Sequence, residues 1–362
     1  MPGRSEYAGI EDCPSWARAL GVSTEACELV ARSEVVDLHL DLFIWNRVFG
    51  YDMAAEHGTG LFDARVYGHT DLTRLRRGGV DSAFWSITTN PFRSARGRRD
   101  TLFGNLARLR GFCERTPGIR AVRNMSEYRE ARAAGEHAAW IVIQGGNALD
   151  AEPGLVKRIP DDAVVQITLV HLSTSSLGKT SAPDPFGRGS ETGLSAAGKD
   201  FVAACDERRI LVDLAHIHPD GFWDAVAVHD ASLPLVVTHT GVDAVTLHWR
   251  NIDDDQIRAV AQTGGTVGII YQCSFLGRRG FLGDDCVDQL FAHIAHVVDV
   301  AGEDHASLGS DWDGAITTPR DMKTCLELPR LVQQMLDAHW THERIGKVLG
   351  GNALRMMEAI RP

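Results

Sequence analysis

A histidine and an aspartate two residues apart end the first strongly apolar segment of the chain. The segment from Val35 to Asp41 begins apolar and then alternates, and this alternation turns His39 and Asp41 toward the same face of a strand. An imidazole and a carboxylate on one face can bind one divalent metal ion. Taken alone, such a pair is more often a hydrogen-bonded pair at a strand end than a pair of ligands, so the later segments must distinguish the two interpretations.

Further candidate ligands occur at the same position in later apolar segments. Beyond the first pair, these segments end in His171, His216, His239 and Asp311. A single histidine at the end of a buried strand is more often a packing residue than a ligand. Repetition of the same placement favours a shared site, and four or five nitrogen and oxygen ligands suit one or two borderline ions such as Zn²⁺.

The segments that carry these residues are short, nearly continuous apolar runs separated by segments of helical pattern, such as residues 198–208 and 253–262. Such runs are typical of parallel strands covered on both faces. We predict eight strands, at residues 35–39, 82–87, 140–143, 164–171, 210–216, 235–239, 266–271 and 306–311. Eight strand–helix units favour a (β/α)8 TIM-type barrel over a doubly wound open sheet, and active sites of such barrels lie at the carboxyl ends of the strands.

No linker rich in proline, glycine or serine divides the chain. We therefore predict one domain over residues 1–362, in which residues 1–33 form an N-terminal helical extension. Two connections, residues 44–70 and 173–193, are longer than ordinary loops between a strand and its helix. Both follow predicted strands on the carboxyl-end rim, where they either cover a substrate or are plain surface insertions.

Composition excludes several classes of function. The 362 residues carry a formal charge of −11, which argues against a surface for nucleic acid or anionic membranes. Seven scattered cysteines and the lack of a signal or anchor pattern favour reduced thiols in a cytoplasmic protein. Neither a phosphate-binding loop nor a nucleophile elbow is complete at Gly178-Lys179-Thr180 or Gly193-Leu194-Ser195. The other histidines are expected to be surface or packing residues, for example His57, His69, His137, His229, His293, His296, His339 and His342.

The ordered set of motifs resembles the membrane dipeptidase family, also called renal dipeptidases, which belongs with the metal-dependent amidohydrolase-type barrels. The resemblance runs from about Val35 to Glu358, nearly the whole chain. The matching segments are His39–Leu42, Gly193–Phe201, Val212–His216, Val237–Thr240, Arg250–Asp254, Gly309–Gly314 and Leu349–Asn352. A chance match of all these segments in order is very improbable.

This resemblance implies a zinc-dependent dipeptidase that hydrolyses short peptides with a free C-terminus and commonly pairs as a homodimer. It implies that His39 and Asp41 bind the first Zn²⁺ and that His216 and His239 bind the second. It also implies that His171 stabilises the oxyanion, that Arg250 binds the substrate carboxylate, and that Asp311 contacts the amine and transfers its proton. The residue types suit these roles, because a carboxylate can protonate a leaving amine and a guanidinium matches a carboxylate. The alternative for Arg250 is a salt bridge to Asp253 or Asp254.

The chain departs from the family where the metal-bridging glutamate is expected. Gln144 stands there, in Ile143-Gln144-Gly145-Gly146, and completes the predicted metal set of His39, Asp41, Gln144, His216 and His239. A glutamine has one acceptor oxygen and no charge, so it cannot bridge two cations as a carboxylate does. Asn147 replaces a histidine of many relatives, and Gln272 replaces a substrate-contacting aromatic residue.

Three interpretations follow from this departure. The protein is a dipeptidase with one metal or with two weakly bound ones, a metal-dependent enzyme of altered amide chemistry in a biosynthetic pathway, or a non-catalytic binding protein. Retention of the other ligands and of Arg250 and Asp311 argues against the last, because a dead site has no physical need of them.

Overall fold

Parallel strands closed into a barrel form the centre of this protein. The computed structural model describes residues 7–58, 63–90, 93–149, 153–183, 191–277 and 284–362. The strands in these ranges are β1 (Val35–Leu40), β2 (Val80–Thr88), β3 (Ile119–Val122), β4 (His137–Gln144), β5 (Gln166–Thr168), β6 (Leu211–Asp213), β7 (Leu235–Thr240), β8 (Thr266–Ile269) and β9 (Ala306–Leu308). All their pairings are parallel.

The barrel closes through the pairing of β2 with β4. The hydrogen-bonded order is β2-β1-β9-β8-β7-β6-β5-β4-β3, and β2 also pairs with β4 from Ser82–Ala138 to Thr88–Gln144. The other edge of β4 is shared, because β3 pairs with its first half and β5 with its second half. Eight strands therefore form the closed ring, which confirms the predicted (β/α)8 barrel. The extra strand β3 was not predicted, since its run of four residues is interrupted by Arg120.

Helices pack around this ring. They are α1 (Cys13–Leu20), α2 (Thr24–Arg32), α3 (Leu42–Phe49), α4 (Leu72–Arg77), α5 (Ala95–Arg115), α6 (Met125–Ala133), α7 (Ala196–Glu207), α8 (Pro219–Val228), α9 (Asp254–Gln262), α10 (Val287–Ala301), α11 (Leu328–Asp337), α12 (His342–Gly346) and α13 (Asn352–Ile360). The helices predicted at 198–208 and 253–262 are confirmed as α7 and α9. None of the helices within the described ranges is long and apolar enough to cross a lipid bilayer.

Local sequence explains where individual helices begin. Asp253 caps α9 through a reciprocal capping box, in which its carboxylate accepts from the backbone of Gln256 and the Gln256 side chain accepts from the Asp253 backbone. Ahead of β1, α1 is anchored by Trp16, whose buried indole donates to the carbonyl of Leu326 at 2.8 Å. The long connections at 44–70 and 173–193 include residues 59–62 and 184–190, which lie outside the described ranges, so their role over the site stays a prediction.

Alternate residues of β4 show which face of the ring bears the site. Trp140 and Val142 belong to a buried cluster that also contains residues of α6 and α13, whereas Ile141 and Ile143 belong to the larger cluster under the other helices. Because strand side chains alternate between faces, Gln144 continues the face of Trp140 and Val142. It is buried, with 1% of its surface exposed.

The penultimate residue links the segments that precede β5 and β6 with the segment that follows β3. The guanidinium of Arg361 donates to five backbone carbonyls, those of Arg123, Asp162, Val164, Arg208 and Arg209, at 2.6–3.3 Å. These carbonyls lie just after β3 and just before β5 and β6. A single cation therefore links three strand connections on the side of the barrel opposite the predicted site.

We expect Arg361→Ala to lower the free energy of unfolding by about 2–5 kcal/mol, because five backbone carbonyls, one of them buried and four partly buried, lose a charged donor. Chemical denaturation monitored by circular dichroism measures this change. The matched control is Arg129→Ala, which removes an exposed partner of Glu358 and should change stability by less than about 0.5 kcal/mol. Equal stability of the two variants would contradict the proposed role of Arg361.

Candidate metal centre

Three predicted site residues meet closely at the carboxyl ends of β1, β7 and β9. The Nε2 atom of His39 lies 3.7 Å from Oδ2 of Asp41 and 3.8 Å from Oδ1 of Asp311. The rings of His39 and His239 stack with their centroids 3.9 Å apart. One possible ligand atom from each of His39, His239 and Asp311 lies within 4.8 Å of the others. A single cation can therefore contact all three.

The remaining predicted ligands adjoin this group on the side of β4 and β6. The amide nitrogen of Gln144 lies 3.4 Å from Nε2 of His216 and 3.3 Å from Nε2 of His239. The two histidine Nε2 atoms are themselves 2.9 Å apart. The ring of His171 meets the ring of His216 edge-on, with centroids 4.6 Å apart. The structure thus gathers the predicted ligands and His171 into one cluster.

Two of the histidines are aimed by irregular strands. In β1, Asp37 pairs with Ala83 and the next pairing is Leu40 with Trp85, so three residue steps along β1 lie opposite two along β2. In β7, Val237 pairs with Val267 and the next pairing is Thr240 with Ile269. His39 and His239 lie within these bulged segments. A bulge re-aims a side chain, which is how residues of two strands turn into one site.

Two other site residues depend on a left-handed backbone. His216 has φ of +67° and Asp311 has φ of +60°. Their strands end earlier than predicted, β6 at Asp213 and β9 at Leu308, so the predicted strands 210–216 and 306–311 are too long. A non-glycine residue in this conformation cannot continue a strand, and such strained positions concentrate at functional sites.

Burial keeps three of the imidazoles neutral. It lowers the pKa of His171 to about 4 and lowers the pKa values of His216 and His239 well below the ordinary range. A neutral imidazole has one nitrogen lone pair available to a metal. Burial also disfavours the charged form of His39, but the neighbouring carboxylates of Asp41 and Asp311 outweigh it and raise the pKa.

The two carboxylates of the cluster differ in their charge state. Burial alone would raise the pKa of Asp41, but His39 and the hydroxyl of Thr88, which donates to Asp41 at 2.6 Å, lower it. Burial and the nearby charge of Asp41 raise the pKa of Asp311 to about 8. Asp311 can therefore retain a proton near neutral pH, and a cation bound beside it would favour its ionised form.

Unpaired polar atoms surround the centre of the cluster. Among the described residues, both ring nitrogens of His39, Oε1 of Gln144, Nδ1 of His171, Nδ1 of His216 and Nε of Arg250 are buried without a hydrogen-bond partner. Most buried polar atoms in proteins are paired, so a group of unpaired ones calls for an explanation. A cation and a polar ligand would satisfy them, and the donor set of imidazoles and carboxylates suits Zn²⁺.

Arg250 lies next to this cluster, and part of its guanidinium makes no hydrogen bond to a described residue. One of its terminal nitrogens donates to the carbonyl of His239 at 2.7 Å, and 3% of its surface is exposed. Burial lowers its pKa to about 10, which leaves the guanidinium charged at neutral pH. The alternative salt bridges are absent from the described residues, because Asp253 caps α9 and Asp254 pairs with His296.

Asp313 was not predicted as a site residue, yet its hydrogen bonds connect two segments of the carboxyl-end rim. Its carboxylate accepts from the backbone of Gly68, His69 and Thr70 and from the Thr70 hydroxyl, at 2.6–3.1 Å. Its carbonyl accepts from the indole of Trp45. It thereby fastens the long connection after β1 to the segment that carries Asp311. The Asp-x-Asp pattern of Asp311 and Asp313 was the available signal.

The substituted positions Gln272 and Asn147 differ in their surroundings. Gln272 accepts from the backbone of Thr317 and donates to Ser274, so it supports the loops after β8 and β9. Asn147 is buried at 2% exposure, and its Oδ1 has no partner within the described residues. His69 donates no ligand to the cluster; its Nδ1 accepts from the backbone of Asp313, a packing role as predicted.

A parallel eight-stranded barrel with imidazoles and carboxylates at the carboxyl ends of its strands is the architecture of amidohydrolase-like metalloenzymes. The profile of the membrane dipeptidase family, peptidase family M19, matches residues 23–361. The chain therefore belongs to the membrane dipeptidase family.

Individual proteins and solved structures are also similar to this chain. A Klebsiella pneumoniae protein described as uncharacterized, in the pqqA 5′ region, is 34% identical over 171 residues, 46% of this chain and 61% of that protein. The aligned part is thus less than two thirds of this relative. A Rhodobacter sphaeroides metallopeptidase liganded with a phosphinate mimic of the dipeptide L-Ala-D-Ala is 25% identical, with a TM-score of 0.79 over 91% of this chain and 99% of that chain. The probable dipeptidase PvdM from Pseudomonas aeruginosa is 16% identical, with a TM-score of 0.82 over 95% and 98%.

We expect Asp313→Ala to lower the free energy of unfolding by about 2–4 kcal/mol, because four donors on the rim lose their acceptor. Urea denaturation of the purified protein measures the change. The control is Asp285→Ala, which removes only an exposed partner of Arg320 and should cost less than about 0.5 kcal/mol. A loss in Asp313→Ala no greater than in the control would rule out the fastening role.

Proposed function

We propose that this protein is a metal-dependent hydrolase that cleaves the amide bond of a short, dipeptide-like substrate with a free carboxylate. One observation carries the proposal: buried imidazoles with unpaired nitrogens and buried carboxylates converge beside a buried arginine whose Nε has no hydrogen-bond partner among the described residues. This arrangement can bind a cation and an anionic substrate group at the same rim. The membership in a dipeptidase family supports the reaction class.

The proposed metal is Zn²⁺, held first by His39 and Asp41 with His239 beside them. Bound there, Zn²⁺ supplies a Lewis acid that polarises the scissile carbonyl and acidifies a water molecule. His216 and His239 form the second predicted position, with Gln144 between them. Because Gln144 adds no negative charge, two neighbouring cations would repel with less compensation, and we propose that the second ion binds weakly.

The side chains around the metal position have distinct proposed roles. Arg250 binds the substrate's C-terminal carboxylate through the unpaired part of its guanidinium, which fits a planar anion. His171, kept neutral by burial, donates an N–H to the oxygen that becomes negative during attack. Asp311 holds and transfers a proton, first taking it from the attacking water and then giving it to the leaving amine.

The position of Gln144 favours a second candidate, a metal-dependent enzyme with altered amide chemistry. Its amide nitrogen lies within 3.4 Å of both His216 and His239, so an amide group stands where a bridging carboxylate would stand in the family. A substrate that itself brings a negative group to this position would restore the charge balance. A non-catalytic binding protein is the third candidate, for which metal-free purified protein would be the supporting result.

We expect Gln144→Glu to tighten the second metal ion and to raise dipeptide hydrolysis, because a carboxylate bridges and neutralises two cations. The wild-type protein should bind one ion tightly and the second weakly, whereas the variant should retain two after dialysis. Metal content by mass spectrometry and turnover of L,L-, L,D- and dehydro-dipeptides, L-Ala-D-Ala included, test both expectations.

The control for this experiment is Gln262→Glu, which adds the same charge at an exposed position at the end of α9. It should change neither metal content nor turnover. Two tightly bound ions in the wild type would refute the expected effect of Gln144 on the metal. Two ions in Gln144→Glu without a gain in hydrolysis would favour the second candidate function.

We expect Arg250→Met to lower kcat/KM for free dipeptides about 10–100-fold, since a charge-assisted hydrogen bond contributes about 1.5–3 kcal/mol. The preference for free over C-amidated dipeptides should disappear with it. Steady-state kinetics on matched free and amidated substrates measure both effects. Arg258→Met, on the exposed face of α9, is the control and should retain wild-type selectivity. Unchanged selectivity in Arg250→Met would refute carboxylate recognition by this residue.

A further inference from the structure

Behind His239 lies a hydrogen-bonded chain that none of the roles above uses. The hydroxyl oxygen of Thr238 is 2.8 Å from Oδ2 of Asp213 and 2.8 Å from Nδ1 of His239. Thr238 and Asp213 are both fully buried. The hydroxyl therefore connects a buried carboxylate on β6 with the side of the His239 ring that faces away from Gln144 and His216.

Asp213 accepts hydrogen bonds through both of its carboxylate oxygens. The backbone groups of Ala215 and Thr238 donate to Oδ1 at 3.0 Å. The amide of Gln166 and the hydroxyls of Thr168 and Thr238 donate to Oδ2 at 2.6–2.9 Å. Five donors surround this group, and it makes no hydrogen bond to an acceptor in the described residues. Three of these donors, the two backbone N–H groups and the Gln166 amide, can only donate, so Asp213 is the acceptor of this network and the two threonine hydroxyls donate to it.

The direction of the remaining hydrogen bond follows from the single hydrogen of the hydroxyl. Thr238 gives that hydrogen to Asp213, so its oxygen can only accept from His239. His239 must then carry its proton on Nδ1. Its Nε2 is left with a free lone pair, and this atom faces the cluster, 3.3 Å from Gln144 and 2.9 Å from His216.

His216 has no comparable support. Its Nδ1 is buried and has no hydrogen-bond partner among the described residues. At its other nitrogen, the free lone pair of His239 lies 2.9 Å away and favours a proton on Nε2 of His216, the tautomer that cannot bind a cation through that atom. His216 and His239, whose Nε2 atoms lie 2.9 Å apart, therefore differ in the tautomer that their surroundings favour. His239 is prepared to bind a cation through Nε2, whereas His216 must adopt the matching tautomer when a cation binds.

We infer that Thr238, oriented by Asp213, is a positioning residue that sets His239 in the metal-binding tautomer before any metal binds. This inference rests on the metal half of the proposed function. Partners that orient a metal-binding histidine typically change metal affinity about 10–100-fold when they are removed. The arrangement also accounts for a threonine at the bulge of β7, where valine would pack equally well but could not accept a hydrogen bond.

Thr238→Val tests the inference, because it keeps the shape of the side chain and removes the hydroxyl. We expect the affinity for Zn²⁺, measured by competition with a chelator, to fall about 10–100-fold. Thr238→Ser keeps the hydroxyl and should retain affinity close to the wild type. Thr266→Val is the matched control, since it removes a buried hydroxyl paired with Ser307 at 2.8 Å on β8, outside the cluster. It should leave the Zn²⁺ affinity unchanged.

A second measurement reads the tautomer in the metal-free, full-length protein. Long-range proton–nitrogen NMR spectra of ¹⁵N-histidine-labelled protein should show His239 protonated on Nδ1 in the wild type and in Thr238→Ser, with a mixture of tautomers in Thr238→Val. The His239 signals are assigned by their loss in His239→Gln. A wild-type His239 protonated on Nε2, or a folded Thr238→Val with wild-type Zn²⁺ affinity, would overturn the inference.

These two measurements also separate this inference from the proposed function. If the wild-type protein binds no Zn²⁺, the metal proposal fails, and the NMR spectra still decide whether Thr238 sets the tautomer. If Zn²⁺ binds and responds to Thr238 as expected but no dipeptide is hydrolysed, the positioning role stands and the dipeptidase activity does not.

Discussion

Burial of several imidazoles and carboxylates at one rim is the constraint on which the rest of this structure depends. His39, Asp41, His239 and Asp311 are nearly inaccessible to solvent, so each must be satisfied by a protein group, a cation or a proton. The described protein groups satisfy them only in part, because both nitrogens of His39 lack a partner. The raised pKa of Asp311 and the lowered pKa of His239 are two consequences of the same burial. A cation at this position would offset several of these costs together.

Gln144 brings no charge to this rim. It lies on the barrel face of Trp140 and Val142, as its register with Thr88 requires, and its amide nitrogen approaches two histidines. A neutral side chain there reduces the negative charge available to two cations. In the proposed function, Gln144 therefore affects the second metal position and leaves the fold and the first position unaffected.

Backbone irregularities orient the side chains of the site, and hydrogen bonds from buried groups behind them fix their positions. Bulges in β1 and β7 carry His39 and His239, and left-handed residues place His216 and Asp311. Behind these side chains, the carboxylates of Asp213 and Asp313 collect donors from neighbouring connections. Such supports cost conformational strain and buried charge, and the proposed metal site requires ligands in fixed directions.

The sequence alone determined the repeated unit and the end of the barrel that bears the site. Apolar runs alternating with helical segments predict eight parallel strands, and polar residues after those runs must meet at one rim, so His39, His171, His216, His239 and Asp311 could be grouped in advance. Only the tertiary structure decided the rest. The early ends of β6 and β9, the extra strand β3, and the contacts of Thr238 and Asp313 depend on residues distant along the chain. Periodicity records which face a residue takes, whereas ladder register and hydrogen-bond direction arise only when the strands assemble.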